Sequence, residues 1–117
     1  MISVIDDDAA VRDMLVSLVR SLGYDARAFA SAEEFLTSDD FGGFTCTITD
    51  IHMPGMSGFE LKERLDERSE SIPVIMITAR TEPDLEEKAI SCGAIGFLRK
   101  PFEVEVLVGC IEKALRS

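Results

Sequence analysis

The chain has 117 residues, the length of one domain with a hydrophobic core of its own. Hydrophobic residues make up 46% of it and charged residues 29%, a balance that is typical of a soluble globular protein and excludes an intrinsically disordered chain. The formal net charge of −10 repels phosphate backbones, so direct nucleic-acid binding by this domain is not expected.

Five strands and five helices are predicted to alternate along the chain. Short apolar runs indicate the strands, and apolar residues that recur every three or four positions indicate the helices. The predicted strands are Ile2–Ile5, Tyr24–Phe29, Phe44–Asp50, Pro73–Thr78 and Ile95–Leu98. The predicted helices run from about Ala9 to Leu22, after Ser31, from about Gly58 to Arg68, from about Glu82 to Cys92, and after Pro101. This alternation favours an α/β fold in which a parallel sheet carries helices on both faces.

Local signals place several of these boundaries. Ser31 with Glu34, and Thr81 with Asp84, have the spacing of a capping box, in which two side chains satisfy the first free amides of a helix. Each pair is therefore predicted to begin a helix. A polar, glycine-rich turn is expected from Asp39 to Gly43.

The third predicted strand is unusual because its two faces differ. Alternation along the strand places Phe44, Cys46 and Ile48 on one face, and Thr45, Thr47 and Thr49 on the other. A central parallel strand is usually apolar on both faces, so the threonine face needs hydrogen-bond partners or a partly polar neighbour.

Targeting signals and soft metal ligands are both lacking. No apolar run approaches the roughly 18 residues that span a bilayer, and aspartates beginning at Asp6 interrupt the first apolar run, unlike in a signal peptide. A cytoplasmic protein without membrane contact is predicted. Cys46, Cys92 and Cys110 have no CxxC spacing and lie in apolar patterns, which predicts three core thiols in a reducing compartment. A zinc site would need a fourth ligand, and the only histidine is His52.

Chemically active side chains follow the predicted strands at their carboxyl ends. Asp6 and Asp7 follow the first strand, Asp50 ends the third, and the later strands end near Thr78 and Lys100. In a sheet where the first strand neighbours the third, the three carboxylates come close together. Two unit charges about 4 Å apart repel by about 4 kcal/mol at an effective dielectric constant near 20, so such a cluster calls for a cation or a proton. Oxygen-only ligands favour Mg²⁺.

This combination suits phosphoryl transfer. An aspartate beside Mg²⁺ and a lysine can attack a phosphoryl group and hold it as an acyl phosphate. Lys100 supplies a second positive charge, and the Thr78 hydroxyl is able to donate to a phosphoryl oxygen.

With these residues, the sequence resembles the receiver (CheY-like) domains of bacterial two-component response regulators. The similarity covers the whole chain, residues 1–117, and its motifs occur in the order and spacing of the family. The matching residues are Val4-Ile5-Asp6-Asp7-Asp8, Asp50-Ile51-His52-Met53-Pro54 with Gly58, Ile77-Thr78-Ala79 and Lys100-Pro101-Phe102. The resemblance implies a flavodoxin-like (βα)₅ fold with strand order 2-1-3-4-5.

The resemblance also implies the roles of the acidic residues. Asp50 would be the phosphoacceptor, with a sensor histidine kinase or a phosphotransfer protein as donor. Asp7, Asp50 and the backbone carbonyl of His52 would bind Mg²⁺ directly, and Asp6 would act through water. The domain would catalyse only its own phosphorylation and dephosphorylation, and so would not be an enzyme in the usual sense.

Further residues take switching roles by the same resemblance. Thr78 would move toward the phosphoryl group and Phe97 would turn inward behind it, although Phe97 lacks the hydroxyl of the tyrosine found in other receivers. His52 and Arg80 occupy positions that tune the phosphoryl lifetime. The peptide bond from Lys100 to Pro101 is expected to be cis.

Two other classes fit the sequence less well. A phosphatase of the haloacid dehalogenase type requires a second aspartate two residues after the nucleophile, where this chain has His52. A cofactor-binding flavodoxin-like module wants a phosphate loop after the first strand, where aspartates would repel a phosphate.

The expected output surface is formed by the fourth helix, the fifth strand and the fifth helix. It would contact a partner protein or a second copy of the domain. The segments 29–36 and 100–103 are similar to receivers of the FixJ type, which carry a helix-turn-helix output. Transcription control through a DNA-binding domain outside this chain is therefore predicted. The alternative is a stand-alone regulator that acts through protein contacts.

Overall fold

The structure, a computed structural model, describes residues 1–38, 43–68 and 72–116. Five parallel strands form one sheet in the order β2-β1-β3-β4-β5, which confirms the fold class and the strand order. The strands are β1 (Ile2–Ile5), β2 (Ala26–Phe29), β3 (Cys46–Asp50), β4 (Val74–Thr78) and β5 (Gly96–Arg99). The helices are α1 (Ala9–Ser21), α2 (Ala32–Leu36), α3 (Gly58–Glu67), α4 (Leu85–Ser91) and α5 (Val104–Leu115). Within the described ranges, no helix is both long and apolar enough to cross a membrane.

Two hydrophobic cores lie on opposite faces of the sheet. On one face, Leu15 of α1 and Leu107 of α5 belong to a cluster that includes Ile48 of β3. On the other face, α2, α3 and α4 contribute to a second cluster, which includes Leu61 and Ala89. The sheet is therefore covered on both faces. In open α/β sheets, ligands bind outside the carboxyl ends of the strands.

Phe44 lies in the second core, and not on the face of Cys46 and Ile48 where strand alternation places it. Its ring centroid is 5.3 Å from that of Phe35 and 5.8 Å from that of Phe29, both in edge-to-face geometry. The prediction was wrong because β3 begins only at Cys46, so the alternation of the strand does not fix the direction of Phe44.

The threonine face of β3 finds the hydrogen-bond partners that the sequence required. The Oγ atoms of Thr47 and Ser3 are 2.8 Å apart, in the middle of the sheet between β3 and β1. The Thr49 hydroxyl donates to the backbone carbonyl of Asp50 at 3.0 Å. Both threonines are fully buried, and these bonds offset the cost of burying their hydroxyl groups.

Helix α4 begins three residues later than predicted, at Leu85. The capping box between Thr81 and Asp84 is not formed, since Asp84 is the N-cap residue and its side chain makes no capping hydrogen bond. Glu82 precedes Pro83, and a residue before proline is disfavoured in the helical region. The sequence pattern of a cap was present, but Pro83 disfavours a helix that starts at Glu82.

Other boundaries differ by one or two residues. β2 begins at Ala26 and β5 covers Gly96–Arg99, which moves its end one residue closer to Lys100. Most of the turn predicted from Asp39 to Gly43, at positions 39–42, lies outside the described residues.

Candidate functional site

The parallel register brings the predicted site residues to one edge of the sheet. At this edge the backbone pairs Ile5 with Thr49, Asp50 with Ile77, and Thr78 with Arg99. Asp6 and Lys100 directly follow β1 and β5. The side chains at positions 6, 50, 78 and 100 therefore come from neighbouring strands at the same height, as the strand order requires.

Three carboxylates form a cluster at this edge. Asp6, Asp7 and Asp50 each offer an oxygen, and these oxygens all lie within 4.8 Å of one another. Asp6 is only 1% exposed, Asp50 is partly buried and Asp7 is exposed. Oxygen ligands at this spacing, with an excess of negative charge, have the chemistry of a site for a hard divalent cation.

Asp6 is the most completely bonded member of the cluster. One carboxylate oxygen accepts from the backbone N–H of Asp8 at 2.9 Å, and the other lies 3.2 Å from Nζ of Lys100. Arg12 adds a hydrogen bond of 2.7 Å to the Asp6 carbonyl. The lysine thus pairs with Asp6 in this structure, and the next peptide bond, to Pro101, is cis as expected.

Sequence reasoning missed Arg12. The usable signal was its place one turn into the helix that follows the acidic segment, where a long basic side chain can reach back to the end of the strand. Lys100 was expected beside Asp50, and its pairing with Asp6 depends on side-chain geometry that a linear pattern does not contain.

The carboxyl group of Asp50 has a raised pKa. Burial is the largest cause, because it disfavours the charged form. The positive charge of Lys100 acts in the opposite direction, followed by the negative charge of Asp6, which raises the pKa further. The backbone N–H of His52 lowers it and Asp7 raises it, with smaller effects. A cation at the cluster would favour the ionised form that a nucleophile requires.

Thr78 is fully buried at the end of β4. Its Oγ1 accepts a hydrogen bond from the backbone N–H of Arg80 at 3.0 Å, and it lies 3.2 Å from Nδ1 of His52. The two residues that the sequence assigned to different roles, Thr78 and His52, are therefore direct partners. Nothing in the sequence signalled this pair, because 26 residues separate its members.

Arg99 is a second residue that sequence reasoning missed. Its guanidinium carbon lies 5.1 Å from the ring centroid of Phe97, and its nitrogens donate to the backbone carbonyls of Arg80 at 3.0 Å and Glu82 at 3.2 Å. Phe97 is partly buried against the core on the α2, α3 and α4 face. Arg99 thus joins the predicted switch aromatic to the loop between β4 and α4. The only sequence signal was its place next to Lys100.

A cleft of about 550 Å³ opens beside the loop after β3. His52 and Arg80 both line it, together with Phe59 and Lys88, whose Nζ is 5.0 Å from the Phe59 ring centroid. The two predicted rate-tuning residues therefore share one accessible surface. Among the described residues that line this cleft, none is acidic.

The loop after β3 packs closely on the end of that strand. A Cβ atom at Gly58 would lie 2.8 Å from the backbone oxygen of Asp50, so only glycine fits without a shift. The Gly58 N–H donates to the carbonyl of Ile51 at 2.9 Å. Ser57 and Glu60 form a capping box that starts α3. These contacts hold the backbone next to Asp50 in place.

Comparisons with known proteins agree with this architecture. Residues 2–112 match the family model of the response regulator receiver domain. The response regulator protein TodT of Pseudomonas putida is 41% identical over 116 residues, which are 99% of this chain and 51% of TodT. The transcriptional regulatory protein FixJ of Bradyrhizobium diazoefficiens is 39% identical over 116 residues, which are 99% of this chain and 57% of FixJ.

A solved structure gives the same assignment. The crystal structure of FixJ-N matches with a TM-score of 0.89 and 32% sequence identity, over 98% of this chain and 92% of that one. The chain spans about half the length of the curated relatives that it matches. With its (βα)₅ fold, its acidic cluster and these relatives of the FixJ type, the chain belongs to the family of response regulator receiver domains.

Proposed function

We propose that Asp50 is the phosphoacceptor of this receiver domain. The observation that carries the proposal is the placement of Asp50 at the end of β3, with two further carboxylates within 4.8 Å and with Lys100 at the same edge. The donor would be a sensor histidine kinase or a phosphotransfer protein, in keeping with the family. The domain then has no turnover chemistry beyond its own phosphorylation and dephosphorylation.

The acidic cluster is suited to Mg²⁺. We assign Asp7, Asp50 and the backbone carbonyl of His52 as direct ligands and Asp6 as a ligand through water. The fit rests on the three convergent carboxylates and on burial, which raises the pKa of Asp50 and leaves its charge in need of compensation. When bound, the metal neutralises charge on the phosphoryl oxygens.

The chain's own residues supply the other steps. A carboxylate oxygen of Asp50 forms a bond to phosphorus while the bond from phosphorus to the donor's imidazole nitrogen breaks, which leaves an acyl phosphate on Asp50 and a neutral imidazole on the donor. Lys100 balances the added negative charge from its position beside Asp6. The Thr78 hydroxyl then turns to donate to a phosphoryl oxygen, and Phe97 moves inward behind it.

His52 and Arg80 are expected to tune the lifetime of the acyl phosphate. Both line the cleft beside the loop after β3, and His52 lies two residues after Asp50. Changing either residue to alanine should alter the dephosphorylation rate without abolishing phosphorylation. Phosphoryl half-lives that stay at the wild-type value in both variants would contradict this role.

The output surface is proposed to consist of α4, β5 and α5. It carries the exposed apolar residues Ile90 and Val106, which suit a partner protein or a second copy of the domain. Because FixJ is named a transcriptional regulatory protein and is longer than this chain, we propose control of transcription through a DNA-binding domain. The alternative, a single-domain regulator that acts by protein contact, would be favoured if the reading frame ended at residue 117. The cytoplasmic location and the extent 1–117 of the domain stay predictions.

The central test is phosphorylation by acetyl phosphate in the presence of Mg²⁺, followed by intact mass spectrometry. A phosphate adduct should form on the wild type and be absent from Asp50→Asn. Asp13→Asn, a change at an exposed aspartate of α1, should label like the wild type. Failure of the wild type to gain mass, or equal labelling of Asp50→Asn, would overturn the assignment.

A further inference from the structure

The hydroxyl group of Thr78 has a fixed number of hydrogen bonds to distribute. A threonine hydroxyl carries one proton to donate and two lone pairs that accept. The backbone N–H of Arg80 can only donate, so the contact of 3.0 Å makes Thr78 Oγ1 an acceptor there. The remaining partner of the hydroxyl among the described residues is Nδ1 of His52, at 3.2 Å.

Burial decides the direction of the second hydrogen bond. If Nδ1 carried the imidazole proton, Thr78 would accept from both neighbours and its own proton would have no acceptor among the described residues. A fully buried hydroxyl in that state is disfavoured, whereas a proton on Nε2 leaves Nδ1 free to accept. With the proton on Nε2, Thr78 donates its single proton to Nδ1 of His52, and this is the arrangement that satisfies the buried hydroxyl.

His52 is linked to the acceptor strand by the chain itself. It lies two residues after Asp50, the last residue of β3, while its ring contacts Thr78 at the end of β4. One residue thus connects the segment of the proposed phosphoacceptor with the proposed switch threonine. The phosphoryl group on Asp50 and the ring of His52 would require the same proton of Thr78.

We infer that the His52 side chain is a positioning residue that holds the Thr78 hydroxyl in the resting receiver and competes with the phosphoryl group for its proton. The inference rests on the proposed function, because it presupposes that Thr78 moves toward a phosphoryl group on Asp50. Activation then includes breaking the hydrogen bond from Thr78 to His52. One such bond corresponds to about a two- to tenfold change in the equilibrium between the resting and active arrangements.

The test is the affinity of the whole chain for beryllofluoride, a phosphoryl mimic, in the presence of Mg²⁺. His52→Leu removes the acceptor and should bind beryllofluoride about two- to tenfold more tightly than the wild type. His52→Asn is the matched control, since its side-chain oxygen stands where Nδ1 stood, and it should bind within about twofold of the wild type. A His52→Leu affinity equal to or weaker than that of the wild type would overturn the inference.

A double-mutant cycle separates this role from any other effect of the ring. In a Thr78→Val background the proton is gone, so His52→Leu should no longer change the affinity. An equal gain in that background would show that the histidine acts through shape or charge and would refute the competition. Urea midpoints of all variants establish that each is folded.

A second measurement uses the wild type alone. His52 is the only histidine in the sequence, so long-range ¹H–¹⁵N spectra contain the signals of one imidazole ring. At a pH where the ring is neutral, the resting protein should show the proton on Nε2, and a proton on Nδ1 would overturn the inference. If wild type and Asp50→Asn bind beryllofluoride alike, the proposed function itself fails; wild-type binding without any effect of His52 refutes only the competition.

Discussion

Replacing Asp50 by asparagine should stabilise the folded domain when no divalent cation is present. The change keeps the size of the side chain and removes one of three negative charges whose oxygens lie within 4.8 Å of one another. At that distance and an effective dielectric constant near 20, each pair of charges repels by about 3.5 kcal/mol. Lys100, 3.2 Å from Asp6, offsets part of this repulsion.

The net gain in the free energy of unfolding is smaller than the repulsion energy of one pair of carboxylates. Asp7 is exposed and Asp50 only partly buried, so water screens their interaction. Removal of the Asp50 charge also removes its attraction to Lys100. We therefore expect the free energy of unfolding to rise by about 1 to 2 kcal/mol at pH 7, which corresponds to an increase of about 0.5 to 1 M in the urea midpoint.

The pH dependence follows from the raised pKa of Asp50. A carboxyl group whose pKa rises on folding binds its proton more tightly in the folded state than in the unfolded state. The wild type should therefore lose stability relative to Asp50→Asn as the pH rises from the ordinary value of 3.8 through the raised pKa of the folded protein. Below pH 3.8 the two proteins should converge.

Urea denaturation at a series of pH values, in EDTA and low salt, measures this difference. Asp13→Asn is the control for loss of one exposed aspartate outside the cluster, and it should stay within about 0.5 kcal/mol of the wild type. Added Mg²⁺ should stabilise the wild type more than Asp50→Asn and so reduce the difference in stability between them. An Asp50→Asn variant that is less stable than the wild type in EDTA, or a gap that narrows as the pH rises, would refute the electrostatic reasoning.

Three further changes test the surroundings of the site by urea denaturation. Lys100→Met leaves its buried carboxylate partner without a cation and should lower the free energy of unfolding by about 2 to 4 kcal/mol in EDTA; an unchanged midpoint would contradict the pairing. Gly58→Ala should lower the free energy of unfolding by about 1 to 3 kcal/mol through overpacking. Gly109→Ala, in a helix with open space around it, should raise it by about 0.5 to 1 kcal/mol. Equal effects of the two substitutions would refute the steric argument. Thr47→Val should lower the free energy of unfolding by about 1 kcal/mol, because it removes the shorter of the two contacts of the buried Ser3 hydroxyl and leaves the one to the Cys46 carbonyl at 3.5 Å. Adding Ser3→Ala should restore most of that loss; a double variant that is no better than Thr47→Val would rule out this pair.

The alternation of strands and helices and the acidic edge were predictable from the sequence, because both depend on local patterns. An apolar run that ends at Asp50, and another that ends before Asp6, place both carboxylates at the same edge once the strands are parallel. The start of α4 was not predicted, because two local patterns conflict there: Thr81 and Asp84 have the spacing of a cap, and Pro83 restricts the residue before it.

The side-chain contacts within the site join residues that are far apart in the sequence. The contact between Lys100 and Asp6 joins residues 94 positions apart, and Thr78 meets His52 across 26 positions. Each depends on which rotamer a side chain adopts among several neighbours. Sequence patterns place these residues at the same edge but do not choose their partners.

The short helix α4 has a consequence for how the domain opens. It has seven residues, two of them buried, whereas α5 has twelve residues and three buried positions. Helices of this length depend on tertiary contacts, so α4 should exchange its backbone amide protons by local opening, at lower free energy than α5 on the other face. In hydrogen–deuterium exchange the domain should therefore divide into a slow half around α1 and α5 and a fast segment around α4, next to Arg99 and Phe97. The segment next to the proposed switch is therefore expected to open at lower free energy than the helices on the opposite face.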